Sequence, residues 1–414
     1  MSAYITKLIL RLFASGVLPA IHDIVHPPAP SNNTDIGLTV PELITKYGYP
    51  VETHSVVTED GYILGVHRIP NGKIENNNYT AEKDNNINKP VVFLMIGLLC
   101  SSADWIIAGP GKALGYLLAD TGYDVWMGNA RGTTHSKKHI KYNPETDAEF
   151  WKYSWHEMGI YDLPAMIDYT LNYTNSKEIY YIGHSQGTTS FFVMCSERPE
   201  YNEKIKLMIA LAPVAFMSNV KNPFLQVMSK YNPELRIMAK MFGINEFLPD
   251  TKFTTFIGRV ICNEKSMTSG ICTNVLFLIA GFDYKQLNQT ILPAILSNVP
   301  AGASVRQLFH YAQGVKSGKF QQYDFNFIKN YKKYKQFSPP EYNLSRITAP
   351  ISLIYSENDL LTAPKDVKIL STKLQNLVEL NRVNQTSFNH LDFLWAINVV
   401  GLVYNHVFDL LQNY

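Results

Sequence analysis

The stretch Ile179-Tyr180-Tyr181-Ile182-Gly183-His184-Ser185-Gln186-Gly187-Thr188 decides the fold. Its first four residues are β-branched or aromatic and predict a buried strand, and Thr188 to Arg198 has the make-up of a helix. Between them stands G-x-S-x-G. A strand that turns sharply into a helix leaves its central residue in a cramped backbone, and the flanking glycines admit that backbone. The turn pushes the Ser185 side chain outward at the carboxyl edge of a sheet. The five residues alone are a weak signal; their strand–turn–helix setting carries the reading.

Working outward, the same rhythm recurs. Val91 to Met95, Tyr123 to Met127, Lys206 to Ala210 and Ile351 to Tyr355 are short apolar runs separated by helix-length segments. Such runs predict an α/β core, a mostly parallel central sheet covered on both faces. Glu52 to Val57 and Tyr62 to Arg68 flank Glu59-Asp60-Gly61 and predict a hairpin. The rhythm breaks between Val214 and Pro340, where the chain is helix-patterned, aromatic-rich and without a clear strand. This predicts an inserted helical cap over the sheet edge. The expected division is 1–34 as a possible signal peptide and lead-in, 35–213 and 341–414 as two parts of the core, and 214–340 as the cap. Phe393 to Leu411 reads as one buried helix, since Asn398, Asn405, His406 and Asp409 interrupt it too often for a membrane span. Asn76 to Asn88 reads as a surface loop.

Composition excludes several functions. Lys and Arg number 37 against 35 Asp and Glu, a net charge of +2 that offers no basic face for nucleic acid. The basic cluster Tyr331-Lys332-Lys333-Tyr334-Lys335 is expected to be a solvated helix end. Cys100, Cys195, Cys262 and Cys272 have no zinc spacing; Cys262 and Cys272 either close a loop in an oxidising compartment or, like the others, sit as small apolar residues. Lys7 followed by a short apolar run to Ala20 resembles a leader, interrupted by Arg11. Sequons at Asn32, Asn78, Asn172, Asn288, Asn343 and Asn384 add weak support for secretion.

With Ser185 as nucleophile, chain order selects its partners: the acid follows the nucleophile and the histidine follows the acid. His390, in Phe388-Asn389-His390-Leu391-Asp392-Phe393, lies in a loop able to reach over the sheet edge, whereas His406 falls inside a terminal helix. His184 adjoins the nucleophile and would have to fold back to serve. Asp359 follows the late strand 351–355 and is the expected orienting carboxylate, with Glu357 as fallback and Asp366 starting or capping the next helix. Backbone N–H donors for an oxyanion are expected from Gln186, after the nucleophile, and from Leu98, in the loop after strand 91–95. His135 and His139 have H-x3-H spacing without a third ligand, so no metal and no cofactor is expected. Asp162 and Asp168 read as caps or surface charges.

These segments together resemble the acid lipase family, the gastric and lysosomal lipases with their insect relatives. The resemblance rests on Tyr47-Gly48-Tyr49-Pro50-Val51-Glu52, Thr58-Glu59-Asp60-Gly61-Tyr62, Gly97-Leu98-Leu99, Gly128-Asn129-Ala130-Arg131-Gly132 and Tyr161-Asp162-Leu163-Pro164-Ala165. It continues through Gly183 to Thr189, Ala210 to Ala215, Gly281-Phe282-Asp283, Val315 to Phe320, Asn358 to Leu361 and Asn389 to Phe393. It implies an α/β-hydrolase fold, a Ser185–Asp359–His390 triad, and oxyanion donors at Leu98 and Gln186. It also implies a Cys262–Cys272 disulfide, a lid within 248–282, and action on triacylglycerols or cholesteryl esters at a lipid–water interface by a secreted or lysosomal enzyme. A further cysteine common in the family's lid region is Ala280 here. Where the family has His-Gly at the start of the oxyanion loop, this chain has Ile96-Gly97. Ile96 can only pack, which implies either a less firmly held Leu98 N–H and a kcat deficit on the order of tenfold, or neighbouring residues repacked so that Ile96 supports the loop equally well. The rival readings are a weakened lipid-binding or storage protein on the same fold, and a hydrolase of small soluble esters; the long apolar cap argues against the second.

Overall fold

A computed structural model describes residues 33–73, 89–248, 280–281, 283 and 285–414. The leader expected before residue 33, the loop 76–88, Cys262, Cys272 and most of 248–282 lie outside the described residues.

A mixed sheet organises the chain. Its strands are β1 (Glu52–Val57), β2 (Tyr62–Ile69), β3 (Val91–Met95), β4 (Asp124–Gly128), β5 (Lys138–His139), β6 (Ile179–His184), β7 (Ile205–Leu211), then β10 (Ile351–Tyr355) and β11 (Leu377–Arg382), with β8 (Glu246–Phe247) and β9 (Ala303–Ser304) paired apart from it. The spatial order is β1-β2-β4-β3-β6-β7-β10-β11, with β5 on β2. From β4 to β11 every pairing is parallel, and β1, β2 and β4 pair antiparallel. This is an α/β-hydrolase fold.

The apolar runs are strands because both of their faces are covered. Along β3, Phe93 and Met95 join one core layer with Tyr181 and Met208, while Val92 and Leu94 join the other with Ile182 and Ile209. Side chains alternate across a strand, so a run without polar residues requires two apolar layers. β11 was not anticipated. It is the edge strand and half-exposed, its apolar residues broken by Glu379 and Asn381, so it never forms an apolar run. The C-terminal helix is interrupted. Trp395 ends one turn, Ala396 is extended, and helix resumes at Val400. Gln286 holds the break, its backbone and side-chain oxygens accepting the Ile397 and Asn398 N–H groups at 2.9 and 3.0 Å.

Between β7 and β10 lie helices Pro223–Lys230, Asn232–Met241, Val305–Ser317 and Phe327–Tyr334. Among the described residues, the stretch read as strandless contains a short antiparallel pair, with Glu246 opposite Ser304.

Topology places the site. β6 lies between β3 and β7, with Met95 level with Gly183 and His184 level with Leu211. The exits of the three strands therefore open side by side at the carboxyl edge, where ligands bind in such sheets.

Candidate active site

Ser185 follows β6 directly, with φ 53° and ψ −117°, a left-handed backbone that a residue with a Cβ adopts only under constraint. The constraint is hydrogen bonding on both sides. The Ser185 N–H donates to the Leu211 carbonyl at 3.0 Å, and the Ser185 carbonyl accepts from the Thr188 N–H at 2.9 Å and the Thr188 hydroxyl at 2.6 Å. The close packing requires glycine. A Cβ on Gly187 would stand 2.2 Å from the Met95 carbonyl oxygen, and one on Gly97 would stand 2.9 Å from the Ser185 Cβ. Gly97 thus brings the loop after β3 against Ser185.

Asp359 and His390 meet as expected. His390 Nδ1 lies 2.7 Å from Asp359 Oδ2, and both side chains are buried. Asp359 Oδ1 accepts the Leu361 and Thr362 N–H groups at 2.7 and 2.8 Å, so the carboxylate is fixed at both oxygens. With Nδ1–H donating to the acid, Nε2 carries the lone pair that takes up a proton. Glu357 turns to the surface and pairs with Arg382. His406 pairs with Glu379, and Asp366 sits in the first turn of helix 364–371 and accepts from the Asn219 N–H.

His184 does not fold back as a base. Its Nε2–H donates to the His390 carbonyl at 2.9 Å, clamping the histidine loop to the elbow. Burial first, and then the neighbouring His390, hold its pKa far below the usual range, so the ring is neutral. The histidine loop is braced again by Asn389, whose side chain accepts the Leu391 and Asp392 N–H groups while its own N–H donates to Asp392 at 2.7 Å. Burial pushes the Asp392 carboxyl up to about 8 against that hydrogen bond, and the facing Asp283 carboxyl adds to the rise.

A segment from the β7–β10 insertion threads between the acid and histidine loops. The Ala280 carbonyl accepts from both Leu360 N–H and His390 N–H at 3.3 Å, and the Gly281 carbonyl accepts from the Asn389 amide at 3.0 Å. Gly281 has φ 118°, and a Cβ there would lie 2.2 Å from the Asn358 carbonyl oxygen.

The loop carrying Leu98 has supports that sequence reasoning missed. Ile96 is buried in the apolar layer with Leu94 and Phe393, as its side chain requires. The loop's hydrogen bonds come from elsewhere. The Ser102 N–H donates to Asn129 Oδ1 at 2.8 Å, the Asn129 amide donates to the Gly65 carbonyl at 3.0 Å, and the Leu99 carbonyl accepts from Ala301 N–H at 2.7 Å. His67, pushed down to about 3 chiefly by burial, contacts the Ser102 hydroxyl at 2.7 Å. Asn129 and Arg131 stand in a quoted motif, but nothing in their spacing announces a bracing role. Asp162 is not a surface charge or a cap: it is fully buried and, with Asp60, holds the Arg131 guanidinium. Asp168 is surface-facing and pairs with Lys204. His135 packs edge-on against His67, and His139 contacts the Asp60 carbonyl; among the described residues no group of three or more His, Cys, Asp or Glu could hold a metal. Cys100 and Cys195 are buried free thiols.

Comparisons with known proteins agree with this geometry. Residues 40–109 match the partial alpha/beta-hydrolase lipase region, and residues 90–240 match the alpha/beta hydrolase fold. The chain is 43% identical to Lipase 3 of Drosophila melanogaster over 90% of its own length and 92% of that protein. It is 41% identical to the gastric triacylglycerol lipase of Homo sapiens, covering 94% of this chain and 93% of that one. A solved structure from Sulfolobus solfataricus, described as a candidate lipase, superposes at a TM-score of 0.55 with 14% identity, covering 87% of this chain and 99% of that one; it supports the fold alone. With identity at this level over nearly its whole length, the chain belongs to the acid lipase family, alongside the gastric triacylglycerol lipases and the Drosophila lipases.

Proposed function

We propose that this chain is a lipid-ester hydrolase, a triacylglycerol or cholesteryl ester lipase, working through an acyl-Ser185 intermediate. The observation that carries the proposal is the buried Asp359–His390 pair, clamped through His184 to the strained elbow that bears Ser185. Ser185 Oγ attacks the ester carbonyl carbon while His390 Nε2 takes its proton, and the N–H groups of Leu98 and Gln186 receive the oxyanion. Collapse breaks the C–O bond, and His390 passes the proton to the leaving alcohol. Water, deprotonated by His390, then attacks the acyl carbon and releases the fatty acid and Ser185.

Residues 214–340 are read as a cap on a core formed by 35–213 and 341–414, with a lid within 248–282 that a Cys262–Cys272 disulfide would close. The helices of the insertion and its exposed Met241 and Phe242 support a cover for lipid. A secreted or lysosomal destination fits the exposed sequon residues Asn172, Asn343 and Asn384. The test is Ser185→Ala, assayed on emulsified triacylglycerol, cholesteryl ester and a short soluble ester. Turnover should fall on the order of 10⁶-fold on all three, with the wild type preferring the emulsions. A variant keeping more than a few per cent of turnover places the nucleophile elsewhere.

A further inference from the structure

Helix Phe327–Tyr334 and the loop behind it carry an aromatic platform that the ester chemistry does not use. Phe327, Ile328, Tyr331 and Phe337 are 62%, 66%, 53% and 53% exposed. Phe327 and Phe337 stack with centroids 4.0 Å apart, and Tyr331 lies 5.0 Å from Phe337. The platform is fixed in place. Asn330 is buried, donates to the Phe337 carbonyl at 3.0 Å and to Asp324 at 2.8 Å, and accepts the Phe325 N–H at 2.9 Å. The loop is thereby fastened back over the helix, and its rings are held in the solvent by hydrogen bonds beneath them.

Charge says what covers it. Lys329, Lys332 and Lys335 are exposed on the same helix and its C-terminal end, Lys333 is exposed over Phe325 and Tyr334, and no Asp or Glu occurs between residues 325 and 340. None of these lysines forms an ion pair among the described residues. A second copy seated face to face would bring two sets of like charges together. Exposed aromatic rings on a helix rich in exposed lysine suit an interface with an apolar interior and an anionic skin.

We propose that this platform docks the protein on lipid surfaces carrying fatty-acid carboxylates. This rests on the proposed reaction, which releases fatty acid at the surface being digested, so that the enzyme would charge the surface it then holds. Phe327 and Phe337 enter the acyl layer, while Lys329, Lys332 and Lys335 lie over the carboxylates.

Binding is measured by vesicle flotation at alkaline pH, where oleate is ionised, with every protein in the Ser185→Ala background so that hydrolysis plays no part. The vesicles are phosphatidylcholine alone, with oleate, or with phosphatidylserine. Oleate should strengthen binding in a salt-sensitive way. Each lysine near an anionic surface contributes about fivefold, so reversing three, Lys329→Glu/Lys332→Glu/Lys335→Glu, should weaken binding to oleate vesicles on the order of 100-fold or more. Lys→Gln at the same positions should weaken it less, and Phe327→Ser/Phe337→Ser should cost on the order of tenfold or more, all with unchanged melting. Oleate binding within twofold of the parent in the charge-reversed protein overturns the proposal. So does binding to phosphatidylserine but not oleate vesicles, or a dimer that these substitutions dissociate with vesicle binding intact. Failure of the Ser185 reading would appear in the ester assay and leave these binding results readable.

Discussion

Glu357 and Asp359 stand two residues apart beyond the same strand, and their surroundings give them opposite roles. Asp359 is buried, receives two backbone N–H groups and faces His390; Glu357 is paired with Arg382 in solvent. Asp359→Asn should lower kcat by about 10⁴ by stabilising the wrong imidazole tautomer. Glu357→Gln should leave kcat within about twofold, since an exposed ion pair is worth little. Matching losses in steady-state assays would mean that Asp359 is not the orienting acid. Ile96 is the other residue whose meaning changes in three dimensions. With Asn129 and Ala301 holding the loop after β3, Ile96→His should bring no gain in kcat. It should cost about 1–3 kcal/mol of stability by burying an unpaired polar ring. Asn129→Ala, in contrast, should lower kcat on the order of tenfold with KM little changed, because it frees the Ser102 N–H and lets the loop drift. A change confined to melting temperature would assign Asn129 to folding alone.

At the scale of elements, the acid loop, the histidine loop and residues Ala280 and Gly281 form one joint. Ala280 accepts from both loops and Gly281 from Asn389, so a segment of the insertion also spaces the two halves of the Asp359–His390 pair. Gly281→Ala should wedge that joint. Its Cβ would meet the Asn358 carbonyl oxygen at 2.2 Å and Asn389 Cβ at 3.0 Å, at a φ that disfavours any side chain. We expect kcat to drop at least about tenfold with a melting loss of several degrees, a misplacement effect out of proportion to one methyl group. Kinetics beside calorimetry decide it: full activity in a folded variant would show that the joint does not position His390.

Across the whole molecule, buried titratable groups pull stability in two directions with pH. Burial pushes Asp392 up to about 8 and Asp104 to about 7. A carboxyl with a folded pKa above its unfolded value favours the native state below the unfolded pKa, and that benefit is lost as pH rises through the folded value. Histidines 67, 156, 184 and 310 are shifted down, chiefly by burial. Their unfolded forms take up protons below about pH 6.5 while the folded forms resist, so stability falls on acidification. The sum is a dome with its maximum near about pH 6.5. Melting temperature measured across pH should fall on both sides, and Asp392→Asn should flatten the alkaline limb. A melting temperature that climbs steadily toward pH 5 would contradict this assignment.

What the sequence determined by itself was everything governed by local periodicity and chain order. The fully apolar runs of β3, β6, β7 and β10 can be stable only between two apolar layers, and G-x-S-x-G between such a strand and a helix can form only a sharp elbow. The order of Ser185, Asp359 and His390 followed from that elbow. The edge strand β11 was hidden because half-exposed strands mix polar with apolar residues, and the break at Ala396 was hidden because Gln286, 110 or more positions earlier in the chain, supplies its acceptors. Only the tertiary structure decided that Asp162 is buried against Arg131, that Asn129 ties the loop after β3 to β2, and that Ala280 and Gly281 sit between the acid and histidine loops. These are contacts between residues far apart in sequence. A hydrogen bond of that kind leaves no period in the chain, and exists only once the sheet has brought its strand ends to one edge.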